Sequence, residues 1–338
     1  MTAIQTILGP IQPEALGVTL IHEHLLPRPQ IPSPPTKPLF SRRIDMNDVV
    51  RELKHARNAY ELRSVVDCTP RRSPEELDSM AWLSQETGIN VVVATGCMKE
   101  QYYHPARGNM SSFWAYQLSP DQIADVMTEE LTNGINGTRH RAGIIKVGTS
   151  KQRITAPEER VLRGAARAHL RTGFPITTHA TLGTMGAEQA QIFLDEGVDA
   201  NRVIIGHSDL NGNPDYHEGI LRRGANVGFD TIGKQRFDYT RSETAGYHRY
   251  EFEKEQYFVS DQLRLQTLLE LIRRGYVAQI VISSDMGSEI AENPDTLGAW
   301  GYSFLLGRFL PQARERGLQE TDQRHLLVDN PRRVLAGD

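Results

Sequence analysis

The chain has 338 residues, 38 Lys plus Arg against 42 Asp plus Glu, and a formal net charge of −4. This balance leaves no basic footprint for nucleic acid or for an anionic membrane surface, and no apolar run approaches the roughly 20 residues that span a bilayer. Apolar residues make up 39% and charged residues 24%, which excludes a disordered chain, and only Cys68 and Cys97 are available, so a disulfide framework is not expected. The opening residues carry no basic segment followed by an apolar one, so the expected location is a reducing cytoplasm.

Eight short, β-branched runs recur along the chain: Val18–His22, Ser64–Cys68, Asn90–Thr95, Ala142–Val147, Pro175–His179, Arg202–His207, Ala225–Phe229 and Gln279–Ser283. Most are continuous rather than alternating, as parallel strands covered on both faces require. Helix starts are marked between them. Ser73-Pro74-Glu75-Glu76 and Thr155-Ala156-Pro157-Glu158 are capping boxes, and Ser119-Pro120 and Asn213-Pro214 open two further helices. Gly88, Gly173, Gly197, Gly224 and Gly275 mark helix ends. The repeated strand–helix rhythm predicts one α/β domain over 1–338, a single (β/α)8 TIM barrel with long βα loops at its C-terminal face. An open doubly wound sheet is the competing architecture. The long loops are Leu25–Asp45, rich in Pro, Gly96–Ser119, rich in Tyr and Trp, and Asp230–Val259, crowded with Tyr, Phe, Arg and Glu.

Polar residues fall where the predicted strands end. His22 and His24 close the first strand, His179 the fifth and His207 the sixth, and Asp285 follows the eighth. In a parallel barrel those ends converge on one mouth. Residues two apart on a strand share a face, so His22 and His24 can grip one ion. Lys146 lies inside the apolar run Gly143-Ile144-Ile145-Lys146-Val147. A buried lysine has to be neutralised, paired or modified, and pairing with Asp285 is the plain alternative to a chemical role.

These residues carry a resemblance. Leu8-Gly9-Pro10 with Gly17-Val18-Thr19-Leu20-Ile21-His22-Glu23-His24-Leu25 resembles the start of the phosphotriesterase family, which includes the phosphotriesterase-like lactonases, within the amidohydrolase superfamily. Gly143-Ile144-Ile145-Lys146, Ile176-Thr177-Thr178-His179, Ile204-Ile205-Gly206-His207-Ser208-Asp209, Gly228-Phe229-Asp230, Ser283-Ser284-Asp285 and the closing Asp329-Asn330-Pro331-Arg332-Arg333-Val334-Leu335 follow in the family's order. The resemblance implies a binuclear centre, usually zinc, bridged by a hydroxide and by a CO2-derived carbamate on Lys146. His22, His24 and Asp285 would hold the more buried ion, His179 and His207 the more exposed one, and Lys146 would bridge both. The implied reaction is attack by the bridging hydroxide on a lactone or ester carbonyl or on a phosphoester, with Asp285 taking its proton. Asp209 is a candidate partner of a ligand, a proton path or a helix cap. The resemblance also implies a homodimer.

A small-molecule substrate would meet Tyr102, Tyr103, Trp114, Lys234, Arg236, Trp300 and Tyr302, with Tyr239, Tyr247, Tyr250 and Arg241 as further candidates. The chain departs from many lactonases at Gly96-Cys97-Met98-Lys99, where a Tyr is frequent, at Thr231-Ile232-Gly233-Lys234, where an Arg is frequent, and at Ser283-Ser284, where Cys-His is frequent. The alternatives on the same site are amide hydrolysis and a metal-dependent lyase or decarboxylase reaction. A cysteine hydrolase using Cys68 or Cys97 and a non-catalytic metal-binding barrel are rival classes.

Overall fold

A computed structural model describes residues 3–26, 46–103, 113–234, 259–287 and 301–337. A short antiparallel hairpin, β1 (Ile4–Thr6) and β2 (Gly9–Ile11), precedes the sheet. Eight parallel strands then follow in chain order as neighbours: β3 (Val18–Glu23), β4 (Leu62–Pro70), β5 (Asn90–Gly96), β6 (Ile144–Thr149), β7 (Ile176–Ala180), β8 (Val203–Ile205), β9 (Asn226–Phe229) and β10 (Ile280–Ile282). Between them lie α1 (Met46–Tyr60), α2 (Pro74–Thr87), α3 (Pro120–Thr132), α4 (Ala156–Thr172), α5 (Gly186–Asp195), α6 (Pro214–Leu221) and α7 (Asp261–Arg273). This is the (β/α)8 barrel that the strand–helix rhythm predicts.

The helix signals operate as read. Ser73, Ser119 and Thr155 each complete a reciprocal capping box, and Asn213 accepts from the Asp215 N–H. The apolar strands pack under their helices in a continuous core, with Val65, Val91, Ile145, Ile176 and Val227 buried.

Every barrel strand differs from the sequence expectation by a residue or more at an end, and three of them by two. The fourth barrel strand begins at Ile144 rather than Ala142, because Ala142 N–H goes to Glu130 O at 3.0 Å and Gly143 N–H to Val93 O at 2.9 Å. A Cβ at Gly143 would stand 2.3 Å from Gln5 O, so this glycine admits the N-terminal hairpin, an element the sequence reading leaves out. The sixth ends at Ile205, since His207 turns to a left-handed φ of 58°. The second is longer than Ser64–Cys68, running from Leu62 to Pro70.

The ladder runs from β3 to β10, and side chains with post-strand backbone complete the ring. Glu23, fully buried, accepts from Ser283 Oγ at 2.6 Å, Ser284 N at 2.9 Å and Met286 N at 2.6 Å. Asp285 N donates to His22 O at 3.0 Å, and His24 N to Met286 O at 2.7 Å. The seam is therefore stitched at the end of β3 that carries His22 and His24. Among the described residues no helix is long and apolar enough to cross a membrane.

Candidate metal centre

The site begins with alternation on β3, which turns His22 and His24 to the barrel mouth and Glu23 into the seam. His24 is 4% and His22 1% exposed. His24 Nε2 lies 2.9 Å from Asp285 Oδ1, and His22 Nε2 lies 3.9 Å from the same oxygen. These donor atoms gather within 4.8 Å of one another. A second such group joins His22, His207 and Asp230. His207 packs against His179 with ring centroids 4.5 Å apart, and against His22 at 4.8 Å. The six positions expected from the sequence thus meet at one mouth, drawn from β3, β6, β7, the turn after β8 and the turn after β10.

Three of the four imidazoles are oriented from behind, through Nδ1. Asp230, buried at the end of β9, takes His22 Nδ1 at 2.8 Å with Oδ2 and His207 Nδ1 at 2.8 Å with Oδ1. His24 Nδ1 meets Thr69 Oγ1 at 2.5 Å, and Thr69 is tied to Arg72, whose guanidinium is forked onto Asp67 at 3.0 and 3.1 Å. With Nδ1 engaged, Nε2 of His22 and His24 faces the centre, which is how carboxylate or hydroxyl partners set the tautomer of ligand histidines. His207 and Asp285 both hold left-handed backbone, with φ of 58° and 48°. The conformation is costly for these residue types. It is held by Asp230 Oδ1, which accepts from His207 N at 2.7 Å, and by the Asp285 N–H to His22 O.

Burial sets the protonation. Desolvation, with Lys146 adding, lowers His22 to about 4, and burial drives His179 well below its usual value, so both rings are neutral donors near neutral pH. Burial opposes ionisation of Asp230, but the His207 and His22 imidazoles outweigh it and hold that carboxyl below the ordinary range. Burial lifts Glu23 to about 8 despite three hydrogen bonds.

Lys146 is fully buried, with Nζ 3.1 Å from His22 Nε2 and 3.0 Å from Thr178 O. Gly96 makes this placement possible: at φ 118°, a Cβ there would lie 2.0 Å from Lys146 O. Lys234 forms an ion pair with Asp285, its Nζ 2.5 Å from Asp285 Oδ2. The donor set of imidazole nitrogens, a carboxylate and a buried amine suits a borderline divalent ion such as zinc.

The aromatic candidates divide. Tyr302 is fully buried and its hydroxyl donates to His24 O at 2.9 Å, so it braces β3. Tyr103 is fully buried, edge-on to Tyr116 at 5.6 Å. Trp114 is half-buried beneath the Arg71 guanidinium, 5.1 Å from its ring centre. Tyr102 is half-buried in the turn after β5. Arg236, Tyr239, Arg241, Tyr247, Tyr250 and Trp300 lie outside the described residues, as do 27–45, 104–112 and 235–258 of the three long loops. Cys68 is buried with its thiol pushed far above the usual range by desolvation, which removes the thiolate a cysteine nucleophile needs. Asp209 is no helix cap: its Oδ2 takes Thr231 Oγ1 at 2.7 Å and Arg264 Nε at 2.8 Å.

Sequence reasoning passed over Asp230, Glu23, Thr69 and Lys99. Asp230 was legible as the third residue of Gly228-Phe229-Asp230 at a strand end. The others touch the centre only through contacts that folding creates.

The model of the phosphotriesterase family matches residues 2–335. The "phosphotriesterase homology protein" of Escherichia coli is 33% identical over 93% of this chain and 96% of its own length. A "phospho-furanose lactonase" of Mycoplasmopsis agalactiae is 27% identical, over 99% of this chain and 92% of its own. The solved structure of an organophosphorus hydrolase from Deinococcus radiodurans superposes with a TM-score of 0.79 at 28% identity, covering 99% of this chain and 97% of that one.

Proposed function

The chain belongs to the phosphotriesterase family, and on that premise we propose that it is a binuclear, metal-dependent hydrolase of lactone, ester or phosphoester bonds. The observation that carries the reading is the convergence of His22, His24 and Asp285, with His207 and Asp230 beside them, on one buried mouth. His22, His24 and Asp285 would hold one divalent ion, His179 and His207 a second, and Lys146, as its CO2-derived carbamate, would bridge them. Zinc is the proposed metal. Its contribution when bound is to activate a water near neutral pH and to polarise the carbonyl or phosphoryl oxygen.

The protein's own part follows from its contacts. Asp285 keeps Oδ1 toward His24 and Oδ2 toward Lys234, so its carboxylate has one oxygen at the imidazoles and one on a cation that can share a proton path. It is the group placed to accept a proton from the attacking water. Asp230 fixes two imidazoles at once, so their Nε2 atoms cannot turn away without breaking a buried hydrogen bond to its carboxylate. Lys146 as carbamate would become an anionic oxygen ligand and would relieve the burial of an ammonium.

The deciding experiment is elemental analysis of protein produced with added zinc and bicarbonate, paired with turnover of a panel of lactones, aryl esters, amides and phosphotriesters. Two ions per chain and chelator-sensitive hydrolysis of a lactone, ester or phosphotriester are expected. Metal content near zero, or turnover untouched by chelation, refutes the reading, and turnover confined to amides moves the reaction class.

A further inference from the structure

The middle residue of His22-Glu23-His24 is an acid, and its side chain ends in the dry seam between the last strand and the first. Glu23 is fully buried, as are Ser283, Ser284 and Met286 around it. A carboxyl in such a place is costly unless donors meet its oxygens. One short stretch of chain supplies them: Oε1 accepts from Ser283 Oγ at 2.6 Å and from Ser284 N at 2.9 Å, and Oε2 accepts from Met286 N at 2.6 Å.

The residue between those two N–H groups is Asp285. Its own N–H goes to His22 O at 3.0 Å, so three consecutive N–H groups after β10 are all given to residues 22 and 23. Two N–H groups that flank a left-handed residue and converge on one carboxyl form a main-chain nest, a concavity suited to an acid group. Asp285 takes its φ of 48° inside it. The same contacts reach the histidines. Ser283 Oγ accepts from His22 N at 3.0 Å while donating to Glu23, and Met286 O accepts from His24 N at 2.7 Å while its N–H donates to Glu23. His22, His24 and Asp285, which form one metal-binding group, therefore all stand on backbone that this one side chain ties down. A carboxyl offers two oxygens and, when ionised, no donor of its own, which suits three converging donors. An amide in its place must turn its NH2 toward at least one of them.

We propose that Glu23 is a positioning residue of the centre: it shapes the turn that aims Asp285 at His24 and His22, and so sets the affinity for the ion those three residues hold. The proposal rests on the reading of this mouth as a binuclear centre and assigns to one of its two ions a residue that touches neither.

The test is cobalt(II) binding to the full-length protein, loaded in the presence of bicarbonate and titrated against a competing chelator, for wild type, Glu23→Gln and Ser283→Ala. Stoichiometry and visible absorption are recorded beside circular dichroism and urea unfolding. In Glu23→Gln one of the two binding steps should weaken about tenfold to a hundredfold, and the cobalt absorption should change because the ligand geometry has changed. Ser283→Ala keeps the Glu23 carboxyl and both N–H groups of the nest but frees His22 N, so it should shift the same binding step by a smaller factor. A seam residue with no positioning role would lower the urea midpoint and leave both binding steps and the absorption as in wild type. That result in folded Glu23→Gln overturns the proposal, and if Glu23→Gln does not fold, the same result in Ser283→Ala overturns it. Wild type that binds no cobalt refutes the metal-centre reading itself, whereas two ions bound equally well by wild type and variants refute only the role of Glu23.

Discussion

Asp230 Oδ2 lies 2.8 Å from His22 Nδ1, joining the end of β9 to the end of β3 past the intervening β10, while its other oxygen holds His207 at the same distance. One carboxylate thereby fixes the tautomer of two candidate ligands that come from opposite halves of the chain. Asp230→Asn keeps the size but places an amide where two N–H groups now donate. Metal affinity should fall about tenfold to a hundredfold, read as the zinc retained against a competing chelator. Retention equal to wild type would show that the imidazoles orient themselves.

Lys146→Ala removes the proposed bridge and leaves a void in a fully buried position. Turnover should be lost and metal content should drop, with partial recovery of both on adding acetate or propionate, which can supply the missing carboxylate. An unchanged rate in Lys146→Ala would remove the carbamate from the mechanism.

Arg264 is buried with its side chain fully covered, and it bonds Asp209 at 2.8 Å, Asp261 at 2.6 Å and Thr231 Oγ1 at 2.9 Å. Asp209→Ala would strand part of that guanidinium in a dry site and release Thr231. We expect a destabilisation of about 3–5 kcal/mol, visible in urea unfolding. Replacing both residues, Asp209→Ala with Arg264→Leu, should cost less than the single change, because no charge is then left in the dry interior: Asp261, which Arg264 also holds, is only half-buried and keeps the Gly233 N–H. Equal losses in the single and double variants would contradict the assignment.

His217 on α6 is fully buried, stacked on Phe229 at 5.2 Å and joined to Asn211 O at 2.8 Å. Burial lowers it to about 4, below the ordinary 6.5. The unfolded chain therefore binds the proton first as pH falls, and stability contributed by the neutral ring is present above 6.5 and lost on acidification toward 4. Between pH 7 and 5 this single group should cost about 2 kcal/mol of stability. His217→Gln should flatten the stability profile over that window by the same amount, and an unaltered slope would reassign it.

Much of this was written locally. The capping residues Ser73, Ser119 and Thr155 name their helices through bonds that reach three residues, and the apolar runs name the strands they build. The spacing of His22 and His24 sets both on one face by strand alternation alone, and the left-handed glycines at the ends of α2 and α4 were visible for the same short-range reason. These signals depend on neighbours in sequence, so the residues themselves carry them.

What only the tertiary structure decided are the contacts between distant strands. That Glu23 closes the seam to Ser283, that Lys234 pairs with Asp285, and that Tyr302 donates to His24 O all depend on which loop returns over which strand end. The sharp turns of His207 and Asp285 into left-handed backbone likewise follow from hydrogen bonds to Asp230 and His22, more than twenty residues away in one case and across the seam between the last and first strands in the other. Periodicity and spacing report the face a side chain takes on its own element, but its partner is chosen by burial, where each polar group must find a complement from whatever the fold has brought within reach.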